Sequence, residues 1–138
     1  MQNDDVLNLF SRWNAALATG NPDEVTALYA EDAVLLPTVS NKVRHNHEEI
    51  RDYFVAFLAK QPQGVIDESN VRFLADDLVI NSGVYTFTFG DGAQVSARFT
   101  YLYRNVDGDW KIAEHHSSAM PETVAAADAD SDSEAAAA

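Results

Sequence analysis

The stretch that decides the fold is Arg98-Phe99-Thr100-Tyr101-Leu102-Tyr103, the linking Arg104-Asn105-Val106-Asp107-Gly108-Asp109, and Trp110-Lys111-Ile112-Ala113-Glu114-His115-His116-Ser117-Ser118. Both outer runs alternate in character with a period of two around an Asp-Gly turn, the pattern of an antiparallel hairpin. Asn105-Val106-Asp107-Gly108 fits a type I turn with its glycine in a left-handed bulge, a three-residue loop. That register sets Tyr101 opposite Ala113 and Phe99 opposite His115. One face then holds Phe99, Tyr101, Tyr103, His115 and Ser117. The other holds Arg98, Thr100, Leu102, Ile112, Glu114 and His116. A two-residue loop would shift the pairing by one and regroup the faces.

Outward from this hairpin, strands are expected near 65–74, 78–89, 94–104 and 110–118, with Gly90-Asp91-Gly92 as a second turn and Asp76-Asp77 as a third. Upstream the period becomes helical. Val6, Leu9, Phe10, Trp13 and Leu17 mark a helix from Asp4 to Thr19, capped by Asn3 or Asp4 and stopped by Gly20. Asn21-Pro22-Asp23-Glu24 opens a short second helix reaching Tyr29. Ala33 to Ser40, interrupted by Pro37, reads as an edge strand. Asn46-His47-Glu48-Glu49 is a capping box for a third helix to Lys60. Three helices, one edge strand and a β-meander specify an α+β fold, helices against one face of a curved sheet.

The 138 residues suit one domain, 1–122, and the Ala/Asp/Ser/Glu composition of 123–138 reads as an acidic disordered tail. The absence of cysteine removes disulfides and thiolate chemistry. A net charge of −13 with only nine basic residues argues against nucleic acid. Five carboxylates follow Pro121, so the chain up to that proline stands near −8, and a small anion needs a local exception to that field. No segment has membrane-spanning length, and the opening Met-Gln-Asn-Asp-Asp lacks the basic and apolar run of a signal peptide, so a cytoplasmic protein is expected.

Adjacent strand residues face opposite ways, so only one of His115 and His116 can serve a pocket, and the pair makes a poor metal chelate. An imidazole beside hydroxyls on a half-buried strand is either a hydrogen-bonded structural pair or a functional one. Thr38 and Ser40 could point inward from the first strand, or form a polar strand edge. Tyr53 lies on the third helix's apolar stripe, where its phenol needs a partner. His45-x-His47 would need a third ligand to hold zinc, and neither a metal nor a cofactor is expected.

The hairpin Tyr103-Arg104-Asn105-Val106-Asp107-Gly108-Asp109-Trp110 and the following His-containing strand resemble the SnoaL-like and calcium/calmodulin-dependent kinase II association-domain branch of the nuclear transport factor 2-like superfamily. The resemblance covers about residues 5–122 and implies its cone-shaped fold. Within that branch, Leu35-Leu36-Pro37-Thr38-Val39-Ser40-Asn41, Glu49-Ile50-Arg51-Asp52-Tyr53-Phe54 and His115-His116-Ser117-Ser118-Ala119-Met120-Pro121-Glu122 resemble the iota-class carbonic anhydrases. Glu114 stands where many members have a third histidine.

That resemblance implies reversible, metal-free hydration of carbon dioxide to bicarbonate. It assigns the catalytic roles to His115, as general base or water orienter, and to the hydroxyls of Ser117, Thr38 and Tyr53, which hold bicarbonate. Tyr101 joins the substrate contacts, and Tyr85 and Tyr101 compete with Tyr53 for the phenol's place. Two other classes stand beside this one. An association module would form oligomers without turnover. A ketosteroid-isomerase or cyclase-like enzyme would need a carboxylate base in the cavity. A homodimer through the outer face of the sheet is expected in every case.

Overall fold

A computed structural model describes residues 1–122. The expected acidic tail lies outside the described residues. Helices α1 (Asn3–Ala18), α2 (Pro22–Thr26) and α3 (His47–Leu58) join strands β1 (Tyr29–Leu36), β2 (Gln63–Ala75), β3 (Leu78–Thr88), β4 (Gln94–Val106) and β5 (Asp109–Ala119). The sheet order is β1-β5-β4-β3-β2. The four later strands form an antiparallel meander, and β1 returns to pair parallel with β5 at the edge. The three helices lie on one face of this curved sheet, the expected α+β architecture.

The caps explain where the helices start. Gln2 precedes α1 and its backbone N–H donates to the Asp5 carboxylate at 2.6 Å, so the cap lies a residue earlier than Asn3. Asn21 accepts from the Asp23 N–H at 2.9 Å and Pro22 occupies the first turn of α2. Asn46 accepts from the Glu49 N–H at 2.9 Å, while the Glu49 carboxylate reaches back to the His45 N–H at 2.9 Å.

Helix α2 ends at Thr26, three residues before the expected Tyr29. The sheet claims this segment: the Ile112 N–H donates to the Leu28 carbonyl and Tyr29 pairs with Ile112. Strand β1 therefore begins earlier than Ala33 and stops at Leu36, before the proline. Thr38 and Val39 form a turn beyond the strand's end.

The last hairpin corrects the expected register. Val106 pairs with Asp109, leaving a two-residue loop in which Asp107 (φ 53°) and Gly108 (φ 92°) are both left-handed. This is the type I′ geometry that matches strand twist, and Asp-Gly suits it. Tyr103 pairs with Ile112, but Leu102 pairs with Glu114, so Ala113 is an extra bulged residue. Beyond it Tyr101 faces His115 and Phe99 faces Ser117. The short loop and the bulge cancel in parity. Phe99, Tyr101, Tyr103, His115 and Ser117 thus share the inner face as expected, and Ile112 joins them in the core against expectation.

The core fills the space between that face and the helices. Val6, Phe10, Trp13 and Leu17 of α1 and Ile50, Phe54 and Phe57 of α3 are buried on the helical side. Phe10 and Trp13 pack on Tyr101 with ring centroids 6.2 and 5.8 Å apart. Each such ring contributes about 1.5–3 kcal/mol by leaving water. Among the described residues no helix is long and apolar enough to cross a membrane.

Candidate active site

A cavity of about 40 Å³ opens between the inner face of the sheet and α3. Phe54, Phe57, Phe87 and Phe89 supply much of its apolar lining, and its polar lining residues are Thr38, Tyr53, Tyr85, His115 and Ser117. Strand alternation on β5 places His115 and Ser117 together; β3 brings Tyr85 beside them; the turn after Pro37 brings Thr38 across.

These side chains form one hydrogen-bonded chain. The Trp13 indole donates to the Tyr29 hydroxyl at 3.1 Å, and that hydroxyl lies 2.8 Å from His115 Nδ1. His115 Nε2 lies 3.0 Å from the Tyr85 hydroxyl, which donates to Ser117 Oγ at 2.8 Å. Ser117 Oγ and Thr38 Oγ1 are 2.5 Å apart, and Thr38 stands at the cavity end. Trp13, Tyr29, Tyr85, His115 and Ser117 are all buried.

Electrostatics keep the chain neutral. Burial, and secondarily the neighbouring His116, pushes the His115 pKa down to about 3, so the ring is uncharged at neutral pH. Burial also raises the Tyr29 and Tyr85 phenols, so neither ionises. Burial holds Tyr53 up at about 12, opposed by the Arg44 guanidinium 5.2 Å from its ring centroid. Arg44 is itself buried and donates to Ser40 Oγ at 2.6 Å and the Lys42 carbonyl at 2.5 Å. It places positive charge beside the cavity in an otherwise acidic chain.

The structure thus gathers Thr38, Tyr53, His115 and Ser117 around one cavity. Tyr101 lies elsewhere: it stacks on the His115 ring at 4.1 Å and does not line the cavity. Tyr85, its competitor, bonds both His115 and Ser117. Ser40 is engaged by Arg44, away from the cavity lining. His45 pairs with Glu49 at 3.0 Å and His47 Nε2 donates to the Tyr29 carbonyl at 2.7 Å. Among the described residues no three His, Asp or Glu side chains are grouped to hold a metal. Local sequence does not place Tyr29 and Trp13 in this chain of hydrogen bonds. Both are aromatic polar handles that need partners once buried, but Tyr29 follows a helical signal that points it elsewhere.

The fold is of the nuclear transport factor 2-like, or cystatin-like, class. Solved proteins of unknown function from Pseudomonas putida KT2440 (19% identity, TM-score 0.74, 87% of each chain covered) and Nostoc punctiforme (17%, 0.72, 84% of this chain and 89% of that one) share it. Residues 2–121 match the family model described as calcium/calmodulin dependent protein kinase II association domain. The chain belongs to that family. It is also similar to a structure from Xanthomonas campestris described as a domain of this kind, with 54% identity, a TM-score of 0.86, and 89% of this chain and 91% of that one covered. No match was found among curated proteins.

Proposed function

We propose that the chain is a metal-free carbonic anhydrase of the iota-class type, hydrating carbon dioxide reversibly to bicarbonate in this cavity. The observation behind the reading is the pairing of a small apolar space with one hydroxyl-rich wall backed by a neutral imidazole. At about 40 Å³ the cavity lies well below the roughly 300 Å³ of a drug-sized ligand pocket and suits a few heavy atoms, such as carbon dioxide with a water. A steroid or polyketide is far larger. Among the described residues no carboxylate lines the cavity, which leaves the isomerase reading without a base.

In this reading His115 orients the hydroxyl chain and does not store the proton, because a base whose conjugate acid has a pKa of about 3 holds protons weakly. Water oxygen attacks carbon. One water hydrogen passes to Thr38 Oγ1 as Thr38 returns its own hydrogen to a carbon dioxide oxygen. The product is carbonic acid, which leaves and ionises to bicarbonate, so neither an external acceptor nor a buried charge is needed. The Tyr53 hydroxyl donates to the second oxygen. Each such donor is worth about 10²–10³ in rate, and turnover stays below that of zinc enzymes because nothing lowers the pKa of water.

Assembly is the second reading, favoured by the association-domain description of the family. It is compatible with catalysis, since the outer face of the sheet (Arg98, Thr100, Leu102, His116) lies opposite the cavity. We take a homodimer through that face.

Stopped-flow hydration of carbon dioxide tests the activity. Chelator-treated protein is expected to accelerate the reaction, and Ser117→Ala and His115→Ala to lose about 100-fold or more. No acceleration over buffer sinks the enzymatic reading. Dependence on added zinc or manganese sinks the metal-free one. Light scattering separates dimer from monomer.

A further inference from the structure

The indole of Trp13 can only donate, so the Tyr29 oxygen accepts from it at 3.1 Å. The Tyr29 hydroxyl is fully buried, and among the described residues the one acceptor within its reach is His115 Nδ1 at 2.8 Å. If Nδ1 carried the ring's proton, two donors would converge on the Tyr29 oxygen and its own hydrogen would be buried without a partner. An unmet buried donor costs about 1–3 kcal/mol. With Nδ1 as acceptor, every hydrogen finds a partner: Nε2–H donates to Tyr85, Tyr85 to Ser117, and Ser117 to Thr38.

We infer that Tyr29 is a positioning residue that fixes His115 as its Nε2–H tautomer, and that the chain therefore ends on a Thr38 hydroxyl hydrogen free for the cavity. The direction of six hydrogen bonds, counting the one to the ligand, is set at the buried end, on the helical side of the core. The cavity wall is then a donor and selects a ligand that offers an oxygen lone pair: a small planar oxyanion, of which bicarbonate is one and nitrate another. The buried Arg44 charge favours the same class. This deepens the reading above, on which its choice of ligand rests. It also explains why Thr38 can give a hydrogen to one oxygen while taking one from water, with no reversal of the chain.

The test is ¹⁵N NMR on full-length protein labelled at histidine, with His115 assigned through His115→Gln. A protonated Nε2 and an unprotonated Nδ1 are expected. A protonated Nδ1, or an average of both tautomers, overturns the inference. Tyr29→Phe should blur the single-tautomer signature and raise the nitrate dissociation constant about tenfold; an unaltered pure Nε2–H signal in that variant removes Tyr29 from the role. In uniformly ¹⁵N-labelled wild-type protein nitrate should shift the Ser117 and Thr38 amide resonances, and ammonium, which only donates, should shift them far less. No response to nitrate, or an equal response to ammonium, overturns the donor end. An Nε2–H tautomer in a protein that does not hydrate carbon dioxide would leave this inference standing and remove the activity. Activity with an Nδ1–H tautomer would do the reverse.

Discussion

Two clusters of buried polar aromatics lie side by side on the inner face of the sheet, and they have been treated differently. Around His115, each of Trp13, Tyr29, Tyr85 and Ser117 has a partner. Directly beside it, with Tyr101 stacked on the His115 ring, the Tyr101 and Tyr103 hydroxyls and Asn81 Nδ2 are buried with no partner among the described residues. Tyr101 and Tyr103 stack 5.6 Å apart, and Asn81 spends only its oxygen, accepting from Ser69 Oγ and the Asn70 N–H. The same residue types thus serve two ends. In one cluster the hydroxyls are the purpose and the rings are their support; in the other the rings fill the core and the hydroxyls are a burden on stability.

The largest expected effect comes from exchanging single hydroxyls between the clusters. Tyr85→Phe strands the His115 Nε2–H and cuts the chain, so hydration should fall about 100-fold and stability by about 1–3 kcal/mol. Tyr101→Phe should leave the hydration rate unchanged. Paired stopped-flow and urea titrations check both, and a rate loss in Tyr101→Phe breaks the division.

Acid comes next. Because burial lowers the folded His115 pKa to about 3, the unfolded chain binds a proton between about pH 6.5 and pH 3 that the folded chain does not. Its contribution to stability is therefore full above pH 6.5 and lost progressively as pH falls below it. Between pH 7 and pH 5 the wild type should lose about 2 kcal/mol more than His115→Gln, read from urea midpoints. The hydration rate should show no inflection near pH 6.5, where an ordinary histidine base would produce one. The smallest effect is the removal of a burden: Tyr103→Phe should raise the melting temperature by a few degrees, for a gain of about 1 kcal/mol.

The comparison also marks what the sequence discloses. Helices α1 and α3, the meander and its Asp-Gly turns follow from local periodicity and turn chemistry, which act over a few residues. The inner positions of His115 and Ser117 follow from strand alternation, but only because two unforeseen features, a shorter loop and the Ala113 bulge, offset each other. Tyr29 was illegible because its place is decided by pairing with Ile112, 83 residues away, against a local helical signal. The split between Tyr85 and Tyr101 was illegible for the same kind of reason. Both alternate inward on neighbouring strands, and only the offset between strands sets one against the imidazole edge and the other against its face.

The bulge at Ala113 has one more consequence. Strand β5 carries the same chemical pair twice, His115 with Ser117 and His116 with Ser118, in opposite phases of the pleat. Straightened, with Ala113 taken into regular alternation, the strand would turn the second pair inward and bring Glu114 with it. The bulged conformation, as against a straight one, therefore acts as a phase selector between duplicate inscriptions of one message, and it keeps the copy without the acid. Deletion of Ala113 would leave His115 and Ser117 inward, since the chain past Ile112 would simply resume its alternation one step sooner.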